Sequence, residues 1–159
     1  KIHVVLGPYF DDSASIVSKV KTSGLNADLH YFPPSLFPLM KDCDLAVSAG
    51  GRTLYELIAM GVPGIAVCLA ENQRRGVEIL DSYGATLAMA YSAGPEFDSH
   101  FSNALVRLIE DDTARAKIVR CGQKLVDGGG ARRIGGGGAL DRLLCQQGKK
   151  PYWNGPKAG

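Results

Sequence analysis

The sequence predicts an α/β protein with a three-layer, Rossmann-like, doubly wound parallel sheet. Short apolar runs alternate with segments of helical periodicity over residues 2–90, which is the pattern of a parallel sheet joined by helices. The runs are apolar without a polar face, as expected of strands that are buried on both sides. With 159 residues, of which 45% are hydrophobic, the chain is long enough to enclose a full core.

The elements follow from this periodicity. Apolar runs predict five strands, at 2–6, 27–32, 45–48, 64–69 and 85–90. Helical spacing of apolar residues predicts helices at 13–23, 35–41 (with Ser35 as its cap), 53–60, 73–83, 96–110, 113–126 and 131–147. We therefore predict one domain over residues 1–147 and a polar, glycine-rich tail over 148–159 that is poorly ordered.

Composition narrows the classes of function. A net charge of +2 without a basic run argues against nucleic-acid binding. No apolar stretch reaches the roughly 18–20 residues of a membrane span, and no signal peptide is visible. The four cysteines are far apart and form no CxxC pair, which argues against zinc and favours a reducing, cytoplasmic setting. Because the chain begins at Lys1 with a strand, we expect a piece of a longer protein.

In doubly wound sheets, ligands bind at the carboxyl ends of the strands. After the third strand come Gly50 and Gly51, which allow close backbone approach, and then a helix start that can bind phosphate. Ser48 and Thr53 can add hydroxyl donors, and Arg52 either pairs with phosphate or points to solvent. Glu56 can accept hydrogen bonds from ribose hydroxyls. The alternative is that Thr53 and Glu56 form a capping box and bind nothing.

The other strand ends carry either polar residues or residues typical of turns. Glu71, Asn72 and Gln73 follow the fourth strand, where their side chains either meet sugar hydroxyls and a diphosphate or, for Asn72, cap the next helix. Gly7 and Phe32 end the first two strands, where each marks either a ligand contact or a simple turn. All four loops are predicted at the same edge of one sheet.

These residues resemble a known group. The segment from Asp44 to Pro63, followed by Glu71 to Gln73, is similar to the C-terminal domain of the PseG/SpsG group of UDP-sugar hydrolases and surface-polysaccharide proteins, and more widely to MurG-like glycosyltransferases. The runs at 5–8 and 126–133 match as well, so the resemblance covers about residues 2–144.

The resemblance implies the C-terminal, nucleotide-sugar-binding half of a GT-B fold, with an N-terminal domain absent from this chain. It implies that residues 50–53 contact the diphosphate, Glu56 the ribose, the backbone near Phe32 the uracil, and Asn72 and Gln73 the pyrophosphate and sugar. Asn72 would lie at the reacting end of the substrate. The substrate would be a UDP-linked amino sugar, without cofactor or metal.

Two features depart from the group. Arg52 replaces a small residue, and Gly135 to Gly138 put four glycines into a predicted helix, each costing roughly 0.5–1 kcal/mol relative to alanine. None of the three histidines, His3, His30 and His100, falls in a strand-end loop, so no general base is assigned. We expect a UDP-sugar hydrolase of surface-polysaccharide or pseudaminic-type acid biosynthesis. The alternatives are the donor-binding half of a MurG-like glycosyltransferase, a stand-alone binding subunit that needs a partner, and a degenerate, purely structural domain.

Overall fold

The computed structural model describes residues 1–91 and 94–135 of the chain. The chain divides into two compact units, Lys1–Cys43 and Asp44–Gly159. The second unit is described as far as residue 135. The single domain predicted over 1–147 stays a prediction, and its last residues and the tail lie outside the described part.

The first unit is a βαβα arrangement. It contains β1 (Ile2–Leu6), α1 (Ser13–Thr22), β2 (Ala27–Tyr31) and α2 (Phe37–Lys41). Strands β1 and β2 run parallel, in register from Ile2 opposite Ala27 to Leu6 opposite Tyr31. Asp12 caps α1 by accepting a hydrogen bond from the N–H of Ser15 at 3.4 Å.

The second unit contains the larger sheet. Its elements are β3 (Ala46–Ala49), α3 (Arg52–Met60), β4 (Gly64–Cys68), α4 (Glu71–Ser82), β5 (Leu87–Ala90), α5 (Pro95–Glu110), α6 (Asp112–Leu125) and α7 (Gly130–Gly135). The three strands are parallel in the order β3-β4-β5, so β4 is central.

Helices cover both faces of this sheet. Ala66 of β4 packs into a cluster with residues of α3 and α4, whereas its neighbour Ile65 packs with Leu108 of α5 and Ile118 of α6. Successive residues of a strand point to opposite faces, so the two clusters lie on opposite sides of β4. Ile65 and Ala66 are both fully buried. The predicted three-layer α/β architecture is therefore confirmed.

The helix starts differ from three sequence expectations. Helix α2 has Leu36 at its N-cap and no side-chain cap, so Ser35 is not its cap, although the hydroxyl of Ser35 accepts a hydrogen bond from the N–H of Phe37 at 3.2 Å. Helix α3 has Gly51 at its N-cap and no side-chain cap, so the predicted Thr53–Glu56 capping box is wrong. Helix α4 has Ala70 at its N-cap, again without a side-chain cap, so Asn72 does not cap it. Helix α4 begins at Glu71, earlier than the apolar periodicity indicates, because Glu71 and Asn72 are polar and exposed. Helix α3 begins at Arg52, one residue before its predicted start.

The strands also pair differently from the single sheet that the sequence suggests. Hydrogen bonding joins them as β1-β2 and as β3-β4-β5, since apolar patterning identifies strands without specifying their partners. Of the four glycines at 135–138, Gly135 ends α7 and the other three lie outside the described residues, as does most of the helix predicted at 131–147. No helix in the described ranges is both long and apolar enough to span a membrane.

Candidate functional site

Strands β3 and β4 deliver two loops to one edge of the second unit's sheet. Ala49 lies opposite Val67 in the ladder, and the next N–H, that of Gly50, donates to the carbonyl of Val67 at 3.2 Å. The loop entering α3 and the loop entering α4 therefore leave the sheet side by side. Two of the four predicted ligand loops are brought together in this way.

Gly50 allows α4 to approach the loop that follows β3. A Cβ on Gly50 would overlap Cγ2 of Val77 and lie 3.1 Å from Cβ of Gln73. Gly51 is different, because a Cβ there would meet nothing within 4 Å. One glycine thus faces helix α4, and the next leaves open space beside the backbone at the start of α3.

The start of each of these helices lacks a side-chain cap. The N-cap residues Gly51 and Ala70 are extended, and neither can offer a side-chain acceptor to the first helical turn. The first N–H groups of a helix have no partner within the helix and carry its positive dipole end. Two such starts on adjacent loops are suited to bind an anion with several oxygens, such as a diphosphate.

Polar side chains surround the start of α3. Arg52 and Glu56 are exposed, and Thr53 is half-buried. The hydroxyl of Ser48 donates to the carbonyl of Ala49 at 3.0 Å. Arg52 forms no ion pair with any described residue, so its guanidinium is available to an anionic ligand.

The first turn of α4 carries the Glu71-Asn72-Gln73 motif. Oε1 of Gln73 accepts a hydrogen bond from the N–H of Leu69 at 3.1 Å, which ties the loop to the helix. The Nε–H of Arg74 donates a bifurcated hydrogen bond to the two carboxylate oxygens of Glu71, with N···O distances of 3.0 and 2.9 Å. This contact raises the pKa of the Arg74 guanidinium and offsets the negative charge of Glu71 near the helix start. Asn72 is exposed.

A cleft opens beside the ends of β4 and β5. Its volume is about 210 Å³, and it is lined by Cys68, Leu69, Ala70, Glu71, Arg74, Val77, Glu78, Met89, Ala90 and Tyr91. Two lining residues, Arg74 and Tyr91, are not among the site residues that the sequence predicts. Arg74 could have been suggested by its position three residues after Glu71, where helical side chains meet, whereas Tyr91 depends on β5 lying next to β4.

Gly7 and Phe32 belong to the first unit. A Cβ on Gly7 would meet nothing within 4 Å. Phe32 is 67% exposed, has a left-handed φ of 39°, and donates its N–H to the carbonyl of Leu6 at 2.9 Å. The contacts predicted for these two residues stay predictions.

Comparison with known proteins gives relatives of two kinds. The chain is 31% identical over 117 residues to UDP-N-acetylglucosamine--N-acetylmuramyl-(pentapeptide) pyrophosphoryl-undecaprenol N-acetylglucosamine transferase of Lacticaseibacillus casei (strain BL23), covering 67% of this chain and 31% of that protein. It is 31% identical over 96 residues to the spore coat polysaccharide biosynthesis protein SpsG of Bacillus subtilis (strain 168), covering 60% of this chain and 28% of that one. The chain thus spans about a third of the length of these curated relatives. No protein-family model matches it.

A solved structure supports the fold. The crystal structure of a UDP-N-acetylglucosamine 2-epimerase superimposes with a TM-score of 0.58 at 16% identity, covering 99% of this chain and 39% of that one. At this identity the likeness concerns the fold alone, a Rossmann-like half of the GT-B type. The resemblance predicted from residues 44–73 is confirmed: the chain is a homologue of MurG-like N-acetylglucosamine transferases and of SpsG over about two thirds of its length.

Proposed function

We propose that this chain binds a UDP-linked N-acetylamino sugar, with the diphosphate held at the starts of α3 and α4. The observation that carries the proposal is the pair of helix starts without side-chain caps, on loops joined by the hydrogen bond from Gly50 to Val67. The name of a related protein, an N-acetylglucosamine transferase that uses UDP-N-acetylglucosamine, supports this substrate class.

In this proposal the α3 start supplies most contacts to the nucleotide. The backbone N–H groups of Arg52 and Thr53 donate to phosphate oxygens across the open space beside Gly51. The Arg52 guanidinium adds a charge-assisted hydrogen bond, and Ser48 lies on the adjoining strand end. Glu56, one turn further along, accepts from the ribose hydroxyls, away from the phosphates that its charge would repel.

The α4 start meets the other end of the ligand. Asn72 and the amide NH₂ of Gln73 reach the pyrophosphate and the sugar, while Oε1 of Gln73 keeps its hydrogen bond to Leu69. The sugar extends toward the cleft beside β4 and β5, where Glu71 and Arg74 offer polar contacts. Carboxylate and guanidinium groups together match the mixed donors and acceptors of a sugar.

For the reaction, we propose glycosyl transfer from the UDP-sugar in polysaccharide biosynthesis. Hydrolysis of the UDP-sugar, including a role in pseudaminic-type acid synthesis, is the second candidate, supported by the exposed position of Asn72 in the first turn of α4 and by the similarity to SpsG. Either reaction requires a facing GT-B domain, supplied by the same polypeptide or by a partner subunit.

Isothermal titration calorimetry with UDP, UMP and UDP-N-acetylglucosamine tests the binding proposal. UDP should bind more tightly than UMP, because only UDP presents a second phosphate to the two helix starts. Arg52→Ala should weaken UDP binding, whereas Arg120→Ala, which removes an exposed arginine of α6, should not. Absence of heat with all three ligands, or equal affinity for UDP and UMP, would refute a diphosphate site.

A second assay distinguishes glycosyl transfer from hydrolysis. With the facing domain present, UDP release from UDP-N-acetylglucosamine is measured with and without an acceptor lipid. A transferase releases UDP only when the acceptor is added. Release that needs no acceptor and is lost in Asn72→Ala would favour the hydrolase instead.

A further inference from the structure

Strands β1 and β2 bring three potential metal ligands together. In their parallel register His3 lies opposite Asp28, and His30 follows two residues later on β2, so Asp28 and His30 share one face of that strand. Nδ1 of His3 lies 3.0 Å from Nε2 of His30 and 4.0 Å from Oδ2 of Asp28. One ligand atom from each side chain lies within 4.8 Å of the other two.

We propose that His3, Asp28 and His30 bind a divalent transition-metal ion, with Zn²⁺ as the reference ion. Two imidazoles and one carboxylate, completed by water, form a ligand set that zinc accepts in tetrahedral geometry, with metal–ligand distances of about 2.0–2.2 Å. At such distances, ligand atoms lie about 3.3 Å apart. The observed separations of 3.0 and 4.0 Å bracket that value, so small side-chain rotations complete the site.

Lys1 forms an ion pair with the carboxylate of this cluster. A hydrogen bond from Lys1 is the main cause that lowers the pKa of Asp28. Nζ of Lys1 lies 2.6 Å from Oδ2 of Asp28, and its side chain is 50% exposed, so it can swing into solvent when a metal takes its place. The two histidines bind a metal in their neutral form.

The proposed ion would stabilise the pairing of β1 and β2. The first unit has 43 residues, and its buried hydrophobic side chains are Leu6 and Met40. Units near this size commonly need a metal, a disulfide or a partner for stability. The proposed ion would link β1 to β2 through side chains, in place of the hydrogen bond between His3 and His30.

Titration calorimetry of the intact, metal-free protein with Zn²⁺ tests the site. We expect one ion bound per chain, and at least about tenfold weaker binding in His3→Gln, His30→Gln and Asp28→Asn, since even indirect partners of a metal ligand are worth about 10–100-fold in affinity. His100→Gln is the matched control, because it removes an exposed imidazole of α5 in the other unit.

The absorption spectrum of bound Co²⁺ distinguishes this site from metal binding by the cysteines. Co²⁺ bound at His3, Asp28 and His30 should show d–d absorption without a thiolate charge-transfer band. Zn²⁺ affinity unchanged in all three variants, or a thiolate band as the sole Co²⁺ signal, would overturn the proposal. If the histidine variants lose their fold by circular dichroism, Asp28→Asn decides, because that side chain is 45% exposed and its replacement keeps the shape.

Discussion

Val77 of α4 packs directly against the backbone of Gly50, so closely that any side chain on the glycine would overlap its Cγ2 atom. Val77 is itself almost fully buried, in a cluster with Leu54 of α3 and Ala66 of β4. This contact sets the distance between the loop after β3 and the first turns of α4. Gly50 therefore contributes to the proposed diphosphate site by position, as the residue that lets two helix starts come together.

Gly50→Ala should destabilise the protein. The added methyl group has no space beside Val77 and Gln73, and overpacking of this kind costs about 1–3 kcal/mol. Thermal or urea unfolding followed by circular dichroism measures the change in the free energy of unfolding. Gly7→Ala is the control, because its added methyl group meets nothing within 4 Å. Equal stability of the two variants would show that α4 does not approach Gly50 as described.

Two substitutions of Gln73 should distinguish its role in stability from its role in ligand binding. They are Gln73→Met and Gln73→Glu. Methionine removes the acceptor for the N–H of Leu69, and loss of one hydrogen bond costs about 0.5–1.5 kcal/mol. Glutamate keeps an acceptor oxygen but places a negative charge near the proposed diphosphate. We expect Gln73→Met to lower stability, and Gln73→Glu to keep it while weakening UDP binding more than UMP binding. Urea unfolding and calorimetry check the two effects, and unchanged UDP affinity in Gln73→Glu would place the diphosphate elsewhere.

Glu56→Ala should weaken UDP binding without lowering stability. Because α3 has no side-chain cap, no capping interaction is lost, and alanine is the better helix former. Glu110→Ala at the end of α5 is the control for removing an exposed carboxylate. Calorimetry and thermal unfolding give the two quantities. A loss of stability without any loss of UDP affinity would restore the capping interpretation.

The pKa of Asp127 should be well below that of an ordinary aspartate. Its hydrogen bond from Arg133, at 2.7 Å, and then the backbone N–H of Gly129 lower its pKa from 3.8 to about 2. A depressed folded-state pKa gives stability that is fully present above pH 3.8 and is lost as the pH falls through about 2.

Carboxyl-carbon NMR of Asp127 over pH 1–6 measures this pKa directly. Arg133→Ala should raise it toward the ordinary value, because the largest cause of the shift is removed. Arg132→Ala, its exposed neighbour on α7, should change it less. An ordinary pKa in the unmodified protein would show that the Asp127–Arg133 pair does not form in solution.

Local sequence was sufficient to predict the strands, the helices and the loops between them. Strand β1 matches its predicted range, and the other strands and helices of residues 1–126 agree within a few residues. Apolar periodicity specifies these elements because each must bury one stripe or face. The motif of residues 44–73 also identified the relatives.

Helix starts and long-range contacts depended on tertiary structure. Thr53 and Glu56 have the spacing of a capping box, yet α3 begins before them at Arg52, because β3 ends at Ala49 and its loop is short. Two contacts join residues that are about 25 positions apart in the sequence. One is between Gly50 and Val77, and the other brings His3 next to Asp28 and His30. The sequence by itself determined which residues form strands and helices, since periodicity is local. Only the tertiary structure decided which of them meet, because strand pairing and helix packing depend on the whole chain.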